Sequence, residues 1–188
     1  MRLLILASAL ICVTACSAPH KIMLDTYKKN ETPKEYKEIL ITGEGGMQSK
    51  MYLQNLTNEL SKQLLKKNIQ CHYVYLGDPR KINTNEAFER AKAGQHDAVI
   101  RMIPRVTEEI THKYIPYNAA PNASMNTETR YLNEHINDFN LTLKEKTDVI
   151  IWEGHLKTDI DPVAKNIYKG ISTKMLAVLA ENLIVPAK

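Results

Sequence analysis

Apolar residues recur along this chain with two different periods, and the switch between them predicts its elements. Ile39, Leu40 and Ile41 form a short run closed by Gly43, as a buried strand requires. Over 48–67, Met51, Leu53, Leu56, Leu60, Leu64 and Leu65 fall three and four residues apart, with Asn55, Asn58, Glu59, Lys62 and Lys66 between them. That spacing predicts an amphipathic helix lying on a sheet. Lys66, Lys67 and Asn68 then supply last-turn cations and a residue that tolerates the left-handed conformation, which marks the helix end.

Residues 70–76 read as a second strand stopped by Gly77, Asp78 and Pro79. Thr84 is placed to cap a short helix over 85–93, ended by Gly94. From Asp97 onward Ala98, Ile100, Met102 and Val106 oppose Arg101, Arg105 and Thr107, the alternation of a half-buried antiparallel strand. Pro104 inside it argues for an edge position or a bulge. In 130–144, Leu132 and Ile136 lie on one parity and Phe139, Leu141 and Leu143 on the other, so a bulge between the two sets is expected. Ile150, Trp152 and Leu156 give a last strand over 149–158. Asp161 and Pro162 then open a final helix striped by Val163, Ile167, Ile171, Met175, Val178 and Leu179. The predicted order β-α-β-α-β-β-β-α makes an α/β (α+β) two-layer sandwich, with helices packed on one face of a mixed, mostly antiparallel sheet.

The pattern before residue 38 is of another kind. Arg2 precedes an apolar run from Leu3 to Cys12, far short of the ~20 residues that span a bilayer, and Ala15 offers a small residue before a cut site. Residues 1–15 read as a signal peptide. Val13, Thr14, Ala15 and Cys16 resemble the lipobox of bacterial lipoproteins. The resemblance implies that Cys16 is lipidated and becomes the mature N-terminus, carrying enough acyl chain for a lasting anchor. An ordinary cleaved signal that leaves Cys16 a thiol is the alternative. Ser17 in place of aspartate implies sorting to the outer membrane, facing the periplasm. Residues 17–37 are poor in apolar side chains and carry Pro19, Lys28, Lys29 and Pro33, so 16–37 is expected to be a lipidated N-terminus and flexible tether, with a segment docked on the domain as the alternative. About twenty such residues span roughly 25 Å on average and about 70 Å at most. Residues 38–188 form a single domain by length.

With 44% hydrophobic and 24% charged residues, the chain has an ordinary globular composition. The net charge of +4 is spread among interleaved acids and bases, with no basic tract of the kind that binds nucleic acid. Of three cysteines, Cys12 leaves with the signal and Cys16 is lipidated, so Cys71 has no partner for a disulfide in the mature chain. Its apolar neighbours make it a small buried hydrophobe.

No motif assigns a catalytic residue, a metal or a cofactor. Gly43, Glu44, Gly45 and Gly46 lack the Lys-Ser/Thr that a phosphate loop needs after its glycines, and they read as a structural turn. The six histidines show no paired ligand spacing, although His135 and His155 lie on successive strands. Glu108, Glu109, Glu134, Asp138 and Glu153 are strand carboxylates that read as a solvated face. The 114–127 segment, with Tyr114, Ile115 and Tyr117 among prolines and asparagines, is a candidate partner-binding loop.

Lipobox, tether and body together resemble small envelope lipoproteins. One group is the lipopolysaccharide-assembly lipoprotein that plugs an outer-membrane barrel. Another is the N-terminal domain of TolB-type proteins, whose helix-Gly-x-x-Asp-Ala-strand step is similar to Ala91, Lys92, Ala93, Gly94, Gln95, His96, Asp97 and Ala98. These resemblances imply a non-enzymatic binding or accessory subunit of an envelope assembly, secretion or transport complex. A lipid- or small-ligand-binding protein, or an enzyme acting on envelope components, is the alternative.

Overall fold

The computed structural model describes residues 21–28, 30–114, 130–160 and 166–186, of which 21, 106–114, 130–136 and 160 are described by their backbone alone. Six strands form one sheet: β1 (Lys21–Lys28), β2 (Glu38–Glu44), β3 (Gln70–Gly77), β4 (Ala98–Tyr114), β5 (Arg130–Glu145) and β6 (Ile150–Ile160), in the spatial order β1-β6-β5-β4-β2-β3. β2 runs parallel to β3 and β4, and every other pair is antiparallel. The helices are α1 (Met47–Leu65), α2 (Thr84–Lys92) and α3 (Ile167–Glu181). This is the expected α/β sandwich on a mixed sheet, with one strand added at its front.

The two long helices lie on one face. Leu53, Leu56, Leu60 and Leu64 of α1 and Ile171, Met175 and Leu179 of α3 bury against Ile39, Ile41, Ile100, Phe139, Leu141, Trp152 and Leu156. Tyr52 ties the layers together: its ring stacks on Phe139 at 5.3 Å and its hydroxyl shares a 2.9 Å hydrogen bond with Thr158 Oγ1. Burial pushes the Tyr52 phenol far above its ordinary pKa, which keeps it neutral. Short α2 covers the opposite face at one end only, where Phe88 packs on Leu40, Leu76 and Val99. Beneath it Arg101 Nη2 donates to Glu44 Oε2 at 2.8 Å and to Asn85 Oδ1 at 2.9 Å, and its guanidinium lies 4.6 Å from the Phe88 ring.

Several expectations need correction. Part of the tether is strand β1, which pairs with β6 from Lys21↔Asp159 to Thr26↔Gly154. An edge strand needs only one apolar face, and Ile22 and Leu24 supply it against the main core, too little to stand out in a polar stretch. The residues that follow are also pinned: Lys34 Nζ and Tyr36 Oη donate to Glu145 Oε1 at 2.8 and 2.9 Å, and the Lys34 amide donates to Leu183 O at 2.9 Å.

Met51 and Leu65 are exposed rather than part of the α1 stripe, where Tyr52 and Thr57 are buried instead. At 100° per residue, Met51 falls about 160° round the helix from Leu53, and Leu65 about 120°. Asn83, not Thr84, caps α2, its Oδ1 accepting the Glu86 amide at 3.3 Å. The bulge expected in β5 is absent, because its pairing with β4 skips a residue at Arg105 and its pairing with β6 skips Ile151. Pairing of β4 with β2 ends at Gly43↔Met102, so Pro104 stands at a bulge on a stretch with one ladder neighbour. Asp161, Pro162 and Val163 lie outside the described residues, and α3 is described from Ile167, after Asn166 at φ 69.

Candidate functional site

Beyond Met102 the sheet narrows to a ribbon. β4 continues to Tyr114 against β5, while the described pairing of β6 with β5 runs as far as His135↔Ile160. Among the described residues, the side of β4 turned away from β5 has no strand partner over 103–114. Unpaired N–H and C=O groups along such an edge are a template for another strand. The edge begins where pairing with β2 stops at Met102, and the residue skipped at Arg105 is a bulge just inside it, the kind of irregularity that adds twist to a strand.

At the ribbon's root, on the face that α2 leaves uncovered, four strands contribute to one polar cluster. His155 Nε2 of β6 shares a 2.5 Å hydrogen bond with Asp138 Oδ1 of β5, and Arg105 Nη1 of β4 stands 3.4 Å from the same nitrogen. The Tyr27 ring of β1 stacks on the imidazole at 6.2 Å. A carboxylate that fixes an imidazole is half of a base-activated nucleophile. Among the described residues no serine, threonine or cysteine is bonded to His155, and the contacts it does make link β4, β5 and β6. Asp138 and His155 are a diagonal pair beside Asn140↔His155, visible only once the β5–β6 register is known.

A cleft of about 470 Å³ opens where the parallel strands end. The β2–α1 turn supplies Gly45 and Gly46, the β3–α2 turn supplies Asp78 and Arg80, and Pro104 and Arg105 close it. α1 leaves β2 toward one face of the sheet and α2 leaves β3 toward the other, which splits the strand ends apart. Gly45 has φ 128, and a Cβ there would stand 2.7 Å from Ser49, so the glycine turn is a structural necessity. Arg80 donates to Asp78 through Nε at 3.0 Å and Nη2 at 2.7 Å, which lowers the Asp78 carboxyl to about 2. That guanidinium is engaged inside its own turn.

The other residues singled out in the sequence are dispersed. Cys16, Ile115 and Tyr117 lie outside the described residues, and Tyr114 is the last residue of β4, opposite Arg130. Cys71 packs against the main core, and burial raises its thiol pKa against a smaller opposing effect from Ser61. His135 and His155 do not meet, since their Cα partners are Ile160 and Asn140. His72 faces Glu38 at 3.4 Å. His96 is buried with Nε2 unbonded, and burial lowers its pKa. Glu108, Glu109 and Glu134 stand opposite Ile136, His135 and Ile110, so the register places no carboxylate opposite another there. Among the described residues no group of three or more His, Cys, Asp or Glu side chains is placed to hold a metal, and no helix is long and apolar enough to cross a membrane.

No protein-family model and no curated protein matches this chain. Among solved structures, the chain is similar to the PelC dodecamer of Paraburkholderia phytofirmans at 8% identity and TM-score 0.47, over 88% of this chain and 99% of that one. A neuraminyllactose-binding hemagglutinin homologue from Helicobacter pylori is similar at 14% identity and TM-score 0.34, over 82% and 90%. A PDZ domain protein from Parabacteroides distasonis is similar at 8% and 0.38, over 90% and 37%. At these identities and TM-scores the likenesses carry no argument about what this chain does.

Proposed function

We propose that this chain is an outer-membrane lipoprotein, anchored through Cys16 and facing the periplasm, that serves without enzymatic activity as a binding subunit of an envelope assembly, secretion or transport complex. The observation that carries the binding part is the open edge of β4 beyond Met102. A partner strand laid along 106–114 gains main-chain hydrogen bonds there, and the 114–127 segment follows β4 directly in the sequence. The space between the sheet and the long helices is filled by fully buried Trp152, Phe139, Leu53, Leu56 and Leu60, which favours a protein partner over a lipid held between the layers.

In-cell crosslinking from positions along 106–114, with mass spectrometry of the products, tests the reading. One envelope protein recovered reproducibly, and lost when proline is placed in that edge, is the expected result. Recovery of abundant bystanders alone overturns it. The anchor is tested separately: Cys16→Ser is expected to move the folded protein out of the membrane fraction, and persistence of the variant in the membrane pellet refutes the anchor.

A further inference from the structure

The sheet position of β1 changes how the body sits relative to any anchor at Cys16. Ile22, the second residue of β1, is six residues from Cys16, so the two Cα atoms can be no more than about 20 Å apart. A body on so short a leash stays within a few Debye lengths of the lipid headgroups, where its own charges decide which face turns toward them.

In the helix layer beside β1 the charge is one-sided. Lys174 Nζ of α3 donates to Ile22 O at 2.7 Å, and a Cβ at Gly170 would stand 3.8 Å from Ile22 Cδ1, so the start of α3 lies against the start of β1. Next to Gly170, Lys169 enters a cleft of about 470 Å³ between α1 and α3. Lys62, Lys66 and Lys67 line it too, and Glu59 is the one carboxylate in the lining. Glu59 is held by Lys62 at 2.5 Å, and Lys67 donates to Pro186 O. Lys66 and Lys169 are exposed and make no ion pair among the described residues. Across both long helices the only acids are Glu59 and Glu181.

We infer that the α1–α3 groove docks on an anionic phospholipid surface, resting on the lipid-anchor reading of Cys16. The leash sets the distance and the lysines set the face. The cations lie along the groove between the two long helices, where flexible stems let the ammonium groups reach separate headgroup phosphates, and Leu176 is the apolar residue in the lining. Each lysine held at such a surface strengthens partition about five-fold, and salt screens the gain.

The test uses the purified mature chain on vesicles of phosphatidylcholine alone and of phosphatidylcholine with phosphatidylglycerol, with acylation of each lysine followed by mass spectrometry. Lys62, Lys66 and Lys169 are expected to react several-fold more slowly on the phosphatidylglycerol vesicles, and high salt is expected to abolish the difference. Lys144 and Lys157, on the strand face, should react alike on both. Equal rates for the groove lysines, or protection of Lys144 and Lys157 instead, overturns the inference. Protection by soluble polyglutamate without protection by phosphatidylglycerol also overturns it, in favour of an acidic protein. The intact mass reports the anchor independently. If Cys16 carries no acyl chain, the same chain is floated on phosphatidylglycerol vesicles, where Lys62→Gln/Lys66→Gln/Lys169→Gln should bind about a hundred-fold more weakly. Equal flotation of variant and parent then refutes the groove, whatever the state of Cys16.

Discussion

Replacing Ile22 and Leu24 by alanine separates a built-in strand from a tether. Both side chains are half-buried against the main core, and Leu24 stands opposite fully buried Leu156 across the β1–β6 ladder. A fully buried Leu→Ala or Ile→Ala change costs 2–5 kcal/mol, so half-burial implies about 1–2 kcal/mol for each and about 2–4 kcal/mol for the double variant. For a domain of this size that lowers Tm by roughly 5–15 °C. The single tryptophan gives the signal: Trp152 is fully buried, and its Nε1 donates to Thr26 Oγ1 of β1 at 3.4 Å. Urea unfolding followed by its fluorescence measures the loss. Met23→Ala, on the outward side of the same strand, is the control and should stay within about 0.5 kcal/mol. A double variant as stable as that control would refute the docking of β1, and with it the short leash.

The Glu44–Arg101 pair should be costly to break from one side. Glu44→Ala leaves a mostly buried guanidinium whose Nε already lacks a partner, and about 2–4 kcal/mol of stability is expected to go, read as a lower urea midpoint. Glu44→Gln, which keeps an acceptor, should lose less. Asp97 accepts the Lys37 and Glu38 amides at 2.7 and 3.0 Å, and these bonds lower its pKa in the folded state. A depressed folded pKa stabilises the fold above the unfolded pKa of about 4, and the gain is lost as pH falls through the folded value. Asp97→Asn should therefore lower stability at neutral pH, and its difference from the parent should vanish in acid; a constant difference across that range would refute the assignment. Shortening 115–126 should leave the unfolding midpoint unchanged, because the described core lies at the other ends of β4 and β5, around Ile100 and Leu141. A large fall would show that those residues pack on the body.

Where a feature depends on one element's own period, the sequence sufficed. Leu53, Leu56, Leu60 and Leu64 announced α1, and Asn68 at φ 60 ends it as its place in the sequence implied. Where a feature depends on a second element, the sequence was silent. Ile22 and Leu24 gain meaning only when β6 offers an edge, and no local signal says that it does. The parity break in β5 invited a bulge there, yet a register can also be restored by the neighbours, and Arg105 and Ile151 carry the extra residues. Asp138 and His155 were each readable as solvated polar residues. Their 2.5 Å contact follows from a diagonal relation across a ladder, which spacing along the chain does not encode.

The two proposals constrain each other through the layer order. α1 and α3 cover one face of the sheet, so a lysine groove turned to the lipid leaves the polar strand face, with Asp138, His155 and Tyr27, pointing away from it. The open edge of β4 belongs to neither face, since it is the side of the strand turned away from β5. A partner strand added there would run beside the body rather than between it and the bilayer, so membrane docking and strand addition need not compete. Phosphatidylglycerol vesicles that protect the groove lysines should therefore leave crosslinking along 106–114 unchanged. A partner displaced by those vesicles would mean that both surfaces face the same way, and one of the two assignments would have to go.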